Sequence, residues 1–93
     1  MTRLRLKWQP GALASFQHAL RWIAQDSPKA ARRMRAEILA NCESLRLMPR
    51  IGIVSERADG ARKWPVGGPY LVFYEIHENR VEIVDFRHGA ENY

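Results

Sequence analysis

Two short basic pairs hold the side chains best suited to chemistry in this sequence. Arg62-Lys63 opens one apolar stretch, Arg87-His88 closes another, and Tyr93 follows a few positions later. If the two stretches are neighbouring strands, guanidinium, ammonium, imidazole and phenol groups converge at one end of a sheet. Such a set could cleave RNA without a metal. Its cations would stabilise the phosphorane-like transition state. His or Tyr would move protons on the attacking 2′-hydroxyl and the leaving 5′-oxygen. The same residues also form an ordinary rim of sheet-end charge, and residue type and spacing alone favour the rim.

Other chemistries fail on spacing. His18, His77 and His88 form no helix-borne pair with a second His, Cys or carboxylate, so neither a metal nor a cofactor is expected. Gly67-Gly68 is not followed by Gly-Lys-Ser/Thr and reads as a turn rather than a phosphate loop. Cys42 lies on an apolar helical stripe and reads as a small core residue; as the single cysteine it excludes an internal disulfide. Trp8, Trp22 and Trp64 do not share one strand, as base-stacking aromatics of a binding sheet would.

These residues need elements to position them. The 93 residues suffice for one domain, and 46% apolar with 27% charged residues is globular composition. No apolar run approaches the roughly 18 residues of a membrane span, and the first residues lack a secretory signal's apolar core. With one thiol, this makes the cytoplasm the expected compartment. Residues 3–8 alternate as a strand, with Leu4, Leu6 and Trp8 on one face and Arg3, Arg5 and Lys7 on the other. Pro10 opens a helix ending near Gln25, with Leu13, Phe16, Leu20 and Ile23 as its apolar stripe. Ser27-Pro28 caps and starts a second helix, which buries Ala31, Met34, Ile38, Cys42 and Leu45 and runs to Pro49. Residues 50–60 read as a loop with a short strand. Strands are expected at 62–66, at 70–77 and at 80–86, the first demoted to an edge or a bulge by Pro65. The fold class is therefore α+β: one domain over 1–93, ordered β-α-α-β-β-β, with a helical hairpin on a mainly antiparallel, twisted sheet.

The net charge is +5 and unevenly spread. Residues 1–36 hold eight basic residues against Asp26 alone, whereas residues 64–93 are net acidic. Twelve of the fifteen basic residues are Arg, whose planar fork suits carboxylate or phosphate. A front-loaded positive charge fits an acidic protein or a nucleic acid.

Taken in order, several segments resemble the RelE/ParE superfamily of type II toxin–antitoxin toxins, which includes plasmid stabilisation proteins. They are Ser27-Pro28 with Ala31, Leu47-Met48-Pro49-Arg50-Ile51-Gly52, Arg62-Lys63-Trp64-Pro65-Val66-Gly67, Tyr70-Leu71-Val72-Phe73-Tyr74 and Arg87-His88-Gly89-Ala90. The resemblance implies a growth-inhibiting toxin neutralised by a cognate antitoxin, ParD-like with an acidic C-terminal segment. The superfamily divides into RelE-like toxins, which cut mRNA on the ribosome, and ParE-like toxins, which poison DNA gyrase. RelE-like members carry a phosphate-contacting Arg where this chain has Leu71, so the ParE-like branch is favoured, with no catalytic residues. The alternative is a ribosome-dependent mRNA interferase, a metal-independent endoribonuclease using Arg62, Lys63, Arg87, His88 and Tyr93. The superfamily's His-Gly-Ala-Arg ending becomes His88-Gly89-Ala90-Glu91 here, which motivates a third reading, an inactive homologue kept for antitoxin binding. The expected antitoxin contacts are Arg3, Arg5, Arg32, Arg33, Arg35 and Trp64.

Overall fold

The computed structural model describes residues 4–89. The alternating start forms β1 (Arg5–Trp8). Leu4, Leu6 and Trp8 pack against the core, and Arg5 and Lys7 are exposed. Helix α1 (Pro10–Asp26) follows, with Pro10 in the first turn, where a missing N–H costs nothing. Its sheet-facing residues are Ala12, Phe16, Ala19, Leu20 and Ile23. Leu13, expected on that stripe, is instead 39% exposed. The small Ala12 takes the close approach to the sheet, and residue size misplaced the stripe by one position.

Ser27 alone separates the helices. Its N–H donates to Ile23 C=O (3.0 Å), closing α1, and its Oγ accepts from Ala30 N–H (3.0 Å), opening α2 (Pro28–Ser44). Satisfying orphan donors in this way stabilises a helix start by about 1 kcal/mol. Helix α2 buries Ala31, Ile38 and Cys42, with Leu45 just beyond its end. It stops at Ser44, not at Pro49: Leu45, Arg46 and Leu47 N–H groups fall back to tighter turn bonds.

The remaining chain forms β2 (Ile53–Val54), β3 (Arg62–Gly67), β4 (Tyr70–Ile76) and β5 (Arg80–His88). Sheet order is β1-β5-β4-β3-β2, with β1 parallel to β5 and the other pairs antiparallel. Helix α1 packs on β5 and α2 on β3, so the hairpin covers one face and leaves the other open. Pro65 lies inside β3, beyond the reach of the two-residue β2, and the register shifts between Pro65 and Gly67. The expected edge-or-bulge role is thus met locally. Gly68 and Pro69 form the following turn, and Gly67 at the end of β3 and Gly68 both lie against α2. A Cβ at Gly67 would lie 2.5 Å from Glu37 Oε2, and Gly68 has φ 49°.

A second bulge matters more. Phe73 pairs with Asp85 and Tyr74 with Ile83, leaving Val84 as an extra residue on β5. One added residue reverses the alternation beyond it. Val81, Ile83 and Phe86 all therefore reach the helix-side core. Beyond the bulge Arg87 turns to the open face and His88 to the helix face.

Candidate functional site

The segment after α2 is held by one hydroxyl. Tyr74, buried on β4, donates from Oη to Pro49 C=O (2.6 Å) and accepts from Gly52 N–H (2.8 Å). Burial pushes its phenol pKa up, while the Gly52 bond and the Arg62 charge pull it back. No larger residue fits at 52, because a Cβ there would sit 2.5 Å from Tyr74 Oη and 2.8 Å from Lys63 C=O. Arg62 completes the anchor: its Nη1 donates to Gly52 C=O (2.8 Å) and to Arg50 C=O (3.4 Å). The anchored segment displays Leu47, Met48, Ile51, Ile53 (67% exposed) and Val54 (59%). Sequence reading passed over this apolar display, since the residues carry no helix or strand period. Their density on either side of Pro49 and Gly52, five apolar residues within positions 47–54, was the available signal.

The open face carries a linked charge cluster. Arg57 Nη1 meets Asp85 Oδ2 (2.8 Å), and its Nη2 meets Asp59 Oδ2 (3.0 Å). Its guanidinium lies 4.7 Å from the Phe73 ring centroid. Arg87 Nε also reaches Asp85 Oδ2 (2.9 Å). Burial pushes the Asp85 carboxyl pKa up, but the hydrogen bonds from Arg87 and Arg57 outweigh it and hold it below the usual range. Asp59 is held low by its Arg57 hydrogen bond, and Arg57 is raised in turn. Lys63, paired in register with Phe73, lines a cavity of about 610 Å3 with Ile53, Val54 and Arg57. Further along, buried Glu82 accepts from Gln9 Nε2 (2.7 Å) and Arg80 Nε (3.0 Å), which keep its pKa low.

The helix side holds a different set. His88 meets Tyr70 edge-on at 5.4 Å between ring centroids. Both line a cleft of about 740 Å3 with His18, Arg21 and Trp22 of α1. Sequence reading treated His18 and Trp22 separately, and only tertiary packing brings them to His88. The expected nuclease set is therefore not gathered on one face. Lys63 lies on the open face and Arg62 holds the 50–52 carbonyls, while Arg87, its guanidinium on Asp85, lines the cleft beside α1 together with His88. Tyr93 lies outside the described residues. Leu71, opposite Arg87 in the register, is half-buried.

Residues 6–93 match the family model described as ParE toxin of type II toxin-antitoxin system, parDE. The chain belongs to this toxin family. It is 32% identical over 83 residues to Toxin RelE2 of Caulobacter vibrioides, covering 89% of this chain and 92% of that protein. The fold is that of the chromosomal ParDE TA system from P. aeruginosa (TM-score 0.79, 18% identity, 92% of this chain and 96% of that one). In this toxin, three of the sequence segments that carry the resemblance meet at the Tyr74 hydroxyl: Pro49 to Gly52, Arg62, and the Tyr70–Tyr74 strand.

The residues expected to meet an antitoxin are also dispersed over the toxin. Arg32 and Arg35 of α2, with Arg21 of α1, rim a groove of about 330 Å3 whose apolar lining includes Leu20, Ala24 and Ala31. Arg33 is exposed on α2 outside that groove. Arg5 is exposed on β1. Trp64 packs half-buried against the core from β3. Arg3 lies outside the described residues. Cys42 is buried, and burial first, then the Glu43 charge, pushes its thiol pKa up to about 12, which suits packing rather than nucleophilic work. Among the described residues no group of three His, Cys, Asp or Glu is placed to hold a metal, and no helix is long and apolar enough to cross a membrane.

Proposed function

We propose that this toxin arrests growth in the cytoplasm by binding a protein target, DNA gyrase, and that it acts without cutting RNA. The observation that carries this reading is the separation of Arg62 and Lys63 from Arg87 and His88, together with Leu71 on the strand where RelE-like toxins place a phosphate-contacting Arg. A phosphorane-like transition state needs cations and proton carriers aimed at one point. This chain uses Arg62 to hold backbone carbonyls instead. The apolar display at 47–54 suits a protein partner. A cognate ParD-like antitoxin neutralises the toxin through an acidic segment that meets the basic first third of the chain, Arg32 and Arg35 foremost.

Gyrase supercoiling with purified toxin tests the target. The expected result is inhibition at doses that arrest growth; unimpaired supercoiling at such doses overturns it. The likeness to Toxin RelE2 favours a second reading, ribosome-dependent mRNA cleavage. Primer extension on translated mRNA separates the two, because only cleavage leaves new codon-specific 5′ ends.

A further inference from the structure

We infer that the cleft between α1 and the end of β5 binds a nucleoside phosphate, its base on Trp22 and its phosphate among His18, Arg21 and His88. This goes beyond the target and antitoxin readings above and rests on neither.

Two elements build the cleft. On α1, His18, Arg21 and Trp22 are spaced so that they share one helical face. That face lies off the core stripe of Ala12, Phe16, Ala19, Leu20 and Ile23, and all three residues are exposed. Tyr70, Arg87 and His88, from the paired ends of β4 and β5, supply the other wall. The space between is about 740 Å3, within the range of small-molecule sites. The cleft is apart from the cavity that Lys63 lines and from the carbonyls that Arg62 holds. It is therefore a separate binding site and does not rebuild the dispersed nuclease set.

The side chains say what fits. Trp22 is 66% exposed, so its indole forgoes the burial that an aromatic ring ordinarily gains. It is also a flat platform, and every base has a π-face to lay on it. Tyr70 stacks on Phe86 (5.3 Å) and meets His88 edge-on, so the imidazole is held by a ring that is itself fixed. Charge selects an anion. Asp85 is the acidic residue of the lining, and both of its oxygens are engaged: Oδ2 accepts from Arg57 and Arg87, and Oδ1 from Phe86 N–H. His18 and Arg21 enter no ion pair among the described residues. Guanidinium and imidazole N–H groups suit phosphate oxygens. One helical turn, about 5–6 Å, separates the Cβ atoms of His18 and Trp22. A ligand that meets both must carry a planar group and an anion on one short frame. A nucleotide does so, whereas a bare anion or an acidic peptide satisfies one half.

Calorimetric titration of the toxin tests this, with adenosine 5′-monophosphate, adenosine, inorganic phosphate and a single-stranded DNA octanucleotide as probes. The monophosphate should bind saturably at one site, at least about tenfold more tightly than adenosine or phosphate, since each of these offers half of the contacts. Trp22→Ala should weaken it about tenfold, the scale of one lost base stack, and Trp22→Phe should restore most of the loss. Arg21→Ala should also weaken it about tenfold, the scale of one charge-assisted hydrogen bond, and leave adenosine unchanged. Arg33→Ala, an exposed cation outside the cleft, should change neither. The octanucleotide separates two sources of the same chemistry. Binding no tighter than the monophosphate assigns a free nucleotide, and binding at least about tenfold tighter that Trp22→Ala abolishes assigns a strand. Absence of saturable monophosphate binding overturns the site. So does binding that Trp22→Ala and Arg21→Ala leave unchanged, or equal affinity for the monophosphate and phosphate. All the substituted residues are exposed, so the variants should fold, and the probe series on the native toxin decides in any case.

Discussion

Tyr74 shows how much a single residue decides in this toxin. Its hydroxyl is the only polar atom of a side chain otherwise in the core, and both of its partners belong to the segment after α2. Tyr74→Phe leaves Pro49 C=O and Gly52 N–H without that bond and should cost about 1–3 kcal/mol. Gly52→Ala should cost more, because its Cβ meets backbone at Lys63 as well as the phenol. Gly11→Ala, with nothing within 4 Å of the added carbon, is the control and should be neutral or stabilising. Urea unfolding of the three variants checks the order. The same contact explains why the sequence misleads about Arg62. Composition places a cation at the start of a strand, where phosphate binding is a fair expectation. Only the return of residues 50–52 to that strand shows that the guanidinium meets carbonyl oxygens. Arg87 and His88 were legible as a strand end. That they face opposite ways is the ordinary pleat of a strand; which of them faces the helices follows from Val84, an extra residue whose presence no alternation pattern marks.

At the scale of elements, local chemistry was legible wherever one residue sufficed. The β1 alternation, Pro10, and the Ser27-Pro28 restart each act within a turn, and the structure follows them. The end of α2 was less legible, since Pro49 forbids a helix there while nothing obliges the chain to stay helical up to it. The link between β5 and the 55–60 loop was not legible at all. Asp85 supplies it, joining Arg57 of the loop to Arg87 of its own strand. Its pKa is lower folded than unfolded, so the unfolded state takes up the proton more readily. The stabilisation is full above the ordinary Asp pKa of about 3.9 and is lost as pH falls through the lower folded value. Native toxin should thus lose stability below about pH 4. Asp85→Asn should be less stable by about 1 kcal/mol at pH 7, the partial exposure of the pair limiting the effect. It should also show a shallower acid limb. Thermal midpoints between pH 3 and pH 7 measure both, and parallel limbs would assign the acid sensitivity to Asp59 and Glu82, which are also held low.

Across the whole molecule, the +5 charge is a pattern rather than a quantity. Its basic third forms β1, α1 and the start of α2, and Arg21, Arg32 and Arg35 converge on one groove between the helices. The acidic last third forms most of β3, β4 and β5, and on β5 Asp85 and Glu82 are already committed to Arg57, Arg87, Gln9 and Arg80. Self-neutralisation therefore operates on the open face and much less on the hairpin, which leaves the hairpin as the main source of positive field. Exposed arginines of this kind steer encounter more than they hold a complex. Reversing Arg32 and Arg35 together to Glu should slow antitoxin association about tenfold at low salt and change dissociation little. The difference should shrink as salt shortens the screening length toward about 8 Å at physiological strength. Stopped-flow association at several ionic strengths reads both effects. If dissociation instead accelerates and the loss persists at high salt, the arginines are buried contacts, and the groove they rim is then part of the interface itself rather than its approach.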